Sequence, residues 1–256
     1  MWDYDAVNDE KHLAGGAMND VKLVGLTVRR QTGPWTPAVH DLLRFLTAEG
    51  LTGVPKVHGL DDEGFEVLEY VEGRGVRVDD EIVLDNVLVE AVQWLRSYHD
   101  VVANYRPTGL VNWRAGQKEL GPGQIICHND PGAYNWIIQG GHFVAMIDWD
   151  MAGPGSPIDD LAFLAWTAIP LYRDIGVERT AARLDLLVDA YGEWGPSTLL
   201  NAVVERMTTA TDRIQVGVDR GDVGMLRLAQ TGEPQRTIDR VAAFKERIEL
   251  IESALG

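Results

Sequence analysis

Apolar and polar positions along this chain change their period near residue 75. Before that point, short alternating runs dominate. Leu13–Thr32 reads as a β-hairpin or meander punctuated by Gly15-Gly16 and Asn19-Asp20, with Val24, Leu26 and Val28 alternating as a half-buried strand does. Pro34–Gly50 is predicted as a helix, with Val39, Leu42, Leu43 and Leu46 on one face, prolines at its start and Gly50 as its stop. Residues 54–60 and 65–73 then read as two strands around the acidic turn D-D-E-G. After Gly75 the spacing becomes helical through Val87, Ala91, Val92 and Leu95 to Tyr98 and His99. Asn104–Gly123 carries Pro, Gly and Trp and is expected to be a loop. Helical patterns return in Ala181–Tyr191, Ser197–Val218, Met225–Gln230 and Thr237–Leu255. The expected class is α+β: a small antiparallel sheet with one helix in residues 1–73, then a mainly helical part over 74–256.

Between the two helical regions lies the stretch on which the rest depends. Gln124–Cys127 and Phe143–Ile147 are apolar, strand-like runs with polar residues just past their ends. His128, Asp130 and Asn135 follow the first; Asp148 and Asp150 follow the second. Trp136–Gln139 should be a strand that turns back through Gly140-Gly141, because a Gly pair supplies the positive φ angles of a tight hairpin. Such a hairpin folds Asp148 back toward Asn135 and Asp130. A carboxylate and an amide that leave room for phosphate oxygens suit Mg²⁺ rather than zinc.

Composition narrows the function classes. The apolar fraction of 45% and charged fraction of 24% are ordinary for a globular protein. No apolar run is long enough to span a bilayer. The acidic start M-W-D-Y-D lacks the features of a signal peptide, and the single cysteine, Cys127, forms no internal disulfide. Both point to the cytoplasm. The net charge of −16 disfavours nucleic acid and anionic membrane and favours cationic ligands. Cys127 is read as packing and His99 as a core histidine. Oligomeric state is not legible.

H-N-D-P-G-A-Y-N (128–135) resembles the catalytic loop H-x-D-x-x-x-x-N, and I-D-W-D (147–150) resembles the metal-binding D-x-D, of the aminoglycoside phosphotransferase family. The resemblance implies a bilobal, protein-kinase-like fold with a boundary near Gly73–Gly75. It implies γ-phosphoryl transfer from ATP or GTP to a hydroxyl, assisted by Mg²⁺. Asp130 would orient the acceptor and take its proton, while His128 braces the loop and Asn135 and Asp148 hold the metal. Asp159 and Asp160 are expected to be structural, and Asp150 to be structural or a minor metal contact. Backbone groups near Glu69 and Val71 would read the base.

The region of Gly15-Gly16 would cover the nucleotide, although G-x-G-x-x-G is missing. The phosphate-pairing lysine of kinases stands here as an arginine in T-V-R-R. Arg29 is chosen, since Thr27 two residues before it leaves room for a base, with Arg30 the other candidate. The following helix offers His40 and Asp41 but no Glu at the position where kinases pair that cation. The acceptor is expected to bear amines, as an aminoglycoside-type antibiotic does, with acidic residues from Asp174 to Asp222 either ringing its pocket or forming a solvated face. A metabolite kinase of choline, homoserine or sugar type, and a non-catalytic nucleotide-binding immunity or regulatory protein, are the alternatives.

Overall fold

The computed structural model describes residues 10–12, 21–107 and 110–255. The Gly15-Gly16 region lies outside them. Strands β1 (Glu10–His12), β2 (Val21–Val24) and β3 (Thr27–Arg30) lead into helix α1 (Thr36–Ala48), followed by β4 (Val57–Leu60) and β5 (Glu66–Glu69). They form a five-stranded antiparallel sheet ordered β1-β2-β3-β5-β4. One expectation fails here. Gly25 takes φ +61° and the chain reverses at Leu26, which is 83% exposed, so Val24, Leu26 and Val28 do not share a strand. A glycine in left-handed conformation makes the tight turn more favourable than a continued strand. Helix α1 turns Val39, Leu42, Leu43 and Leu46 into the core, as its spacing predicts.

Strand β6 (Arg74–Gly75) leaves this sheet and pairs with β10 (Trp136–Gln139). The crossing is tight. A Cβ on Gly73 (φ +149°) would stand 2.5 Å from Ile137 Cγ2 and 2.8 Å from the Ile138 carbonyl oxygen. Helix α2 (Asp85–Val102) follows. The expected loop then contains a small hairpin, β7 (Val111–Trp113) with β8 (Gly116–Lys118). Three-residue strands are too short to show a period, and only burial of Trp113 gives them an inside. Strand β9 (Ile125–Cys127) pairs with β12 (Gly153–Gly155), while β10 and β11 (His142–Met146) form the expected hairpin, its turn residues Gly140 and Gly141 at φ +61° and +83°.

The remaining helices are α3 (Pro157–Ala168), α4 (Val177–Tyr191), α5 (Pro196–Asp219), α6 (Val223–Gln230), α7 (Gln235–Lys245) and α8 (Ile248–Ser253). The single helix expected over 237–255 is two. Arg247 sits at the break and donates to the Leu171 and Arg173 carbonyls. The largest fully buried side chains include Tyr98, Trp136, Trp149, Met146, Ile126 and Leu161. They form the floor under the β9–β12 region, so the site loops rest on a close-packed base. Among the described residues no helix is long and apolar enough to cross a membrane.

Candidate active site

Asp160, fully buried in the first turns of α3, organises the loop after β9. Its two oxygens accept N–H groups of His128 at 2.8 Å and Asn129 at 2.7 Å. His99 approaches the same carboxylate at 3.2 Å. Burial alone would raise the pKa of Asp160, but His99, His128 and the backbone donors hold it below the usual carboxylate value. His128 is itself fully buried, and that burial pushes its pKa down. Its Nε2–H donates to the Ile147 carbonyl at 3.2 Å, its Nδ1 accepts from the Asp130 amide at 3.3 Å, and its ring packs 4.5 Å from that of Trp149. A neutral imidazole satisfies both bonds. His128 therefore ties the 128–135 loop to the end of β11 and faces the backbone on both sides.

Asn135 completes the connection. Its carbonyl accepts the Ile147 amide at 2.9 Å, which brings Asp148 beside the loop. Its side-chain N–H group donates to the Asp130 carbonyl at 2.9 Å and to Asp130 Oδ2 at 3.2 Å. The Tyr134 hydroxyl donates to Asp130 Oδ1. Partial burial, opposed by the Tyr134 hydrogen bond and reinforced by the charge of Asp148, pushes the Asp130 carboxyl up to about 7. Asp148 has φ 61° and ψ 69°, a left-handed backbone that few non-glycine residues adopt. The turn aims its carboxylate at β3 instead of along the strand axis.

The strand cation is where the sequence reading needs correction. Alternation does put Arg29 and Arg30 on opposite faces, but the cleft lies on the Arg30 side. Arg29 pairs with Asp61 and with Glu63 at 2.8 Å, and lies over the Phe65 ring at 3.9 Å. Arg30, 6% exposed, reaches Glu66 at 2.5 Å, Asp148 at 3.1 Å and Asp150 at 2.8 Å. Those three charges hold its pKa above the ordinary value despite burial. Val28, two residues before Arg30, faces the same cleft.

Glu66, opposite Arg30 on β5, also accepts from His40 Nε2 on α1 at 2.9 Å. The helix thus reaches the cation through a histidine and a strand glutamate. Asp150 is buried, as expected of a structural residue, and adds Arg114 at 3.5 Å to the network.

Arg30, Asp130, Tyr134, Asn135 and Asp148 line one cleft of about 830 Å³. Val28, Arg30, Glu69, Tyr70 and Val71 form one wall; Asp130, Tyr134, Asn135 and Asp148 form the base; Phe163, Arg206, Arg213, Glu233 and Arg240 belong to the helical wall. The amides of Glu69 and Tyr70 donate to the Lys56 and Leu26 carbonyls. None of the acidic residues expected to ring the acceptor (Asp174, Glu178, Asp185, Asp189, Glu193, Glu205, Asp212, Asp219, Asp222) lines the cleft. They are distributed over other faces of α4 and α5 and over the loops that flank them. Tyr134 and Arg206 are the site residues that sequence reasoning missed. Tyr134 sits inside the motif, and its spacing four residues after Asp130 was the available signal; Arg206 lies 76 residues past Asp130 and had none.

Among the described residues no three His, Cys, Asp or Glu side chains gather to hold a metal by themselves. The donor chemistry nonetheless suits a hard cation that shares its shell with phosphate. Asn135 commits its amide nitrogen to Asp130, so its other end is the oxygen, and Asp148 offers a carboxylate on the same cleft.

A family model described as the phosphotransferase enzyme family (APH) matches residues 110–200, spanning the loop, the hairpin and α3. The trifolitoxin immunity protein of Rhizobium leguminosarum bv. trifolii is 35% identical over 198 residues, covering 73% of this chain and 75% of that protein. This chain belongs to the phosphotransferase enzyme family. The family's solved structures share its fold across nearly the whole chain. The amicoumacin kinase hAmiN, in complex with AMP-PNP, Ca²⁺ and its ligand, has a TM-score of 0.62 at 16% identity, covering 94% of this chain and 87% of that one. The gentamicin complex of APH(2")-IIa gives 0.59 at 16%, covering 92% and 91%. A choline/ethanolamine kinase family protein from Mesorhizobium loti gives 0.56 at 17%, covering 95% and 94%. At these identities the likeness establishes the protein-kinase-like fold, the aminoglycoside phosphotransferase form of it, and no substrate.

Proposed function

We propose that this phosphotransferase is a small-molecule kinase moving the γ-phosphoryl group of ATP or GTP to an alcohol. Residues 1–73 would form the nucleotide lobe and 74–256 the lobe carrying the catalytic loop. The observation that carries this reading is the convergence of Asp130, Asn135, Asp148 and Arg30 on one cleft.

In this reading a base packs against Val28 and the stretch from Glu69 to Val71, whose next amide along is that of Val71. Arg30 places fixed positive charge beside the phosphates, and its guanidinium cannot lose its proton. Asn135 and Asp148 would hold Mg²⁺, which when bound neutralises phosphate charge. Asp130 accepts a hydrogen bond from the acceptor hydroxyl, orients its oxygen in line with the γ-phosphorus, and takes its proton as the O–P bond forms and the β–γ bridge breaks. His128 keeps Asp130 and Asp148 in register without moving a proton.

Calorimetry with ATP·Mg²⁺ and an ADP-release assay over a panel of alcohols test this directly. Asp130→Ala is expected to lower turnover at least about 100-fold while leaving nucleotide affinity within a factor of about two. Retained turnover would refute the role. The similarity to an immunity protein favours one companion reading: the phosphorylated alcohol belongs to an antibacterial compound, and phosphorylation removes its activity.

A further inference from the structure

The cleft holds several arginines, and all but two answer to a carboxylate. Arg30 has Glu66, Asp148 and Asp150; Arg236 has Glu233; Arg240 has Asp79. Arg206 and Arg213 differ. They stand seven residues apart on α5, two turns along one helix face, and both line the cleft. Their hydrogen bonds go to one neutral residue: Arg206 Nη2 to the Asn129 carbonyl and Arg213 Nη1 to Asn129 Oδ1 at 3.4 Å.

Among the described residues no carboxylate lies within ion-pair distance of either. Arg206 is only 4% exposed, lies 4.8 Å over the Phe163 ring, and keeps Nε and Nη1 without hydrogen-bond partners. A guanidinium buried without an ion-pair partner is costly; the charge of Asp130 on Arg206, and of Asp159 and Asp160 on Arg213, acts only from beyond ion-pair distance. Their location is specific. Arg206 is close enough for its charge to act on both Asp130 and Tyr134, and Asn129, which both arginines touch, precedes Asp130.

We propose that Arg206 and Arg213 are the acceptor-recognition residues of this kinase and that the acceptor is an alcohol bearing a carboxylate, docked on the helical wall beside Asp130. The inference rests on the kinase reading and narrows its substrate class. It replaces the amine-bearing acceptor, because the acidic residues expected to ring an amine stand elsewhere, and Asp79 and Glu233, which do line the cleft, are already paired with Arg240 and Arg236. A carboxylate here supplies a direct ion-pair partner, accepts charge-assisted hydrogen bonds, and holds the hydroxyl end of the same molecule over Asp130. A small hydroxy acid and a hydroxyl-bearing peptide with a free C-terminus share this chemistry.

The test uses the whole protein loaded with a non-hydrolysable ATP analogue and Mg²⁺, titrated by calorimetry with matched pairs that differ in the carboxylate. One pair is L-homoserine and 3-aminopropan-1-ol; another is glycerate and glycerol; a third is a Ser-containing tripeptide with free and with amidated C-terminus. The carboxylate member of at least one pair is expected to bind about tenfold or more tightly than its mate. In Arg213→Gln that preference is expected to fall below about threefold, with analogue affinity unchanged. Arg206→Gln gives a second reading of the same preference where the variant folds.

Equal binding within every pair, absence of binding in every pair, or preference for the amine members overturns the proposal. So does a preference that persists in Arg213→Gln, which would leave the arginines as clamps on Asn129. Analogue binding and ADP release, followed in the same samples, report on the kinase reading separately. Nucleotide binding with no carboxylate preference sinks only this inference.

Discussion

Glu66, Asp148 and Asp150 share the guanidinium of Arg30, and this buried cluster sets what single residues contribute. Removing the cation leaves three carboxylates in a cleft wall where two are almost fully buried. Breaking one buried pair of this kind costs about 3–5 kcal/mol. Arg30→Met is therefore expected to lower the melting temperature markedly and to abolish nucleotide binding in calorimetry. Arg29→Met, whose partners Asp61 and Glu63 stand at the sheet surface, is expected to leave both nearly unchanged. Equal effects from the two variants would sink the assignment of the strand cation.

Tyr134 is the second residue to examine at this scale. Its hydroxyl already donates to Asp130, the bond an acceptor alcohol would need. Tyr134→Phe is expected to lower the acceptor KM several-fold and leave the nucleotide KM alone, since a competing donor has been removed. A raised acceptor KM would show instead that the phenol helps bind the substrate.

The β10–β11 hairpin carries Asp148 to its place, and its turn is the weak point of the element. Gly140 and Gly141 both take positive φ with open space where a Cβ would stand. The Cβ of Gly140→Ala meets no atom there, so its cost is the left-handed backbone alone, about 1–2 kcal/mol. Thermal unfolding should report that loss, with the Mg²⁺-nucleotide complex weakened because the register of Asp148 depends on the turn.

Helix α3 acts through Asp160. Its folded pKa lies below the ordinary carboxylate value, so its contribution to stability is fully present above roughly pH 4 and is lost as pH falls through the folded value. Asp160→Asn is expected to be less stable near neutral pH and to show a flatter stability profile between about pH 5 and 3. Urea unfolding over that range measures both.

At the scale of the whole molecule, the two halves of the chain meet across the cleft through Arg30 of β3 and Asp148 and Asp150 after β11. A nucleotide bound between them stabilises both halves at once. At about 100 times its dissociation constant a ligand of the native state adds about 2.7 kcal/mol. ATP with Mg²⁺ is expected to raise the melting temperature, and EDTA or Asp148→Asn to remove most of the increase. The same shift with and without divalent cation would count against Asn135 and Asp148 as a metal site.

Much of this was legible in the linear chain, because it rests on local rules. Apolar period and glycine placement predicted α1, α4, α5 and the β10–β11 turn, and the resemblance carried by His128, Asp130, Asn135 and Asp148 pointed to the family. Choices between equivalent options were not legible. Alternation separates the faces of β3 and cannot say which one meets the cleft, so only packing against Glu66 and Asp148 decided for Arg30. Nor can sequence tell which face of α5 a long-range partner covers. The acidic residues of the C-terminal region offered themselves as a ring around the acceptor, whereas the fold turned Arg206 and Arg213 toward the cleft. Local preference is set by a residue and its neighbours; the side of an element that becomes the inside is set by what the rest of the chain lays against it.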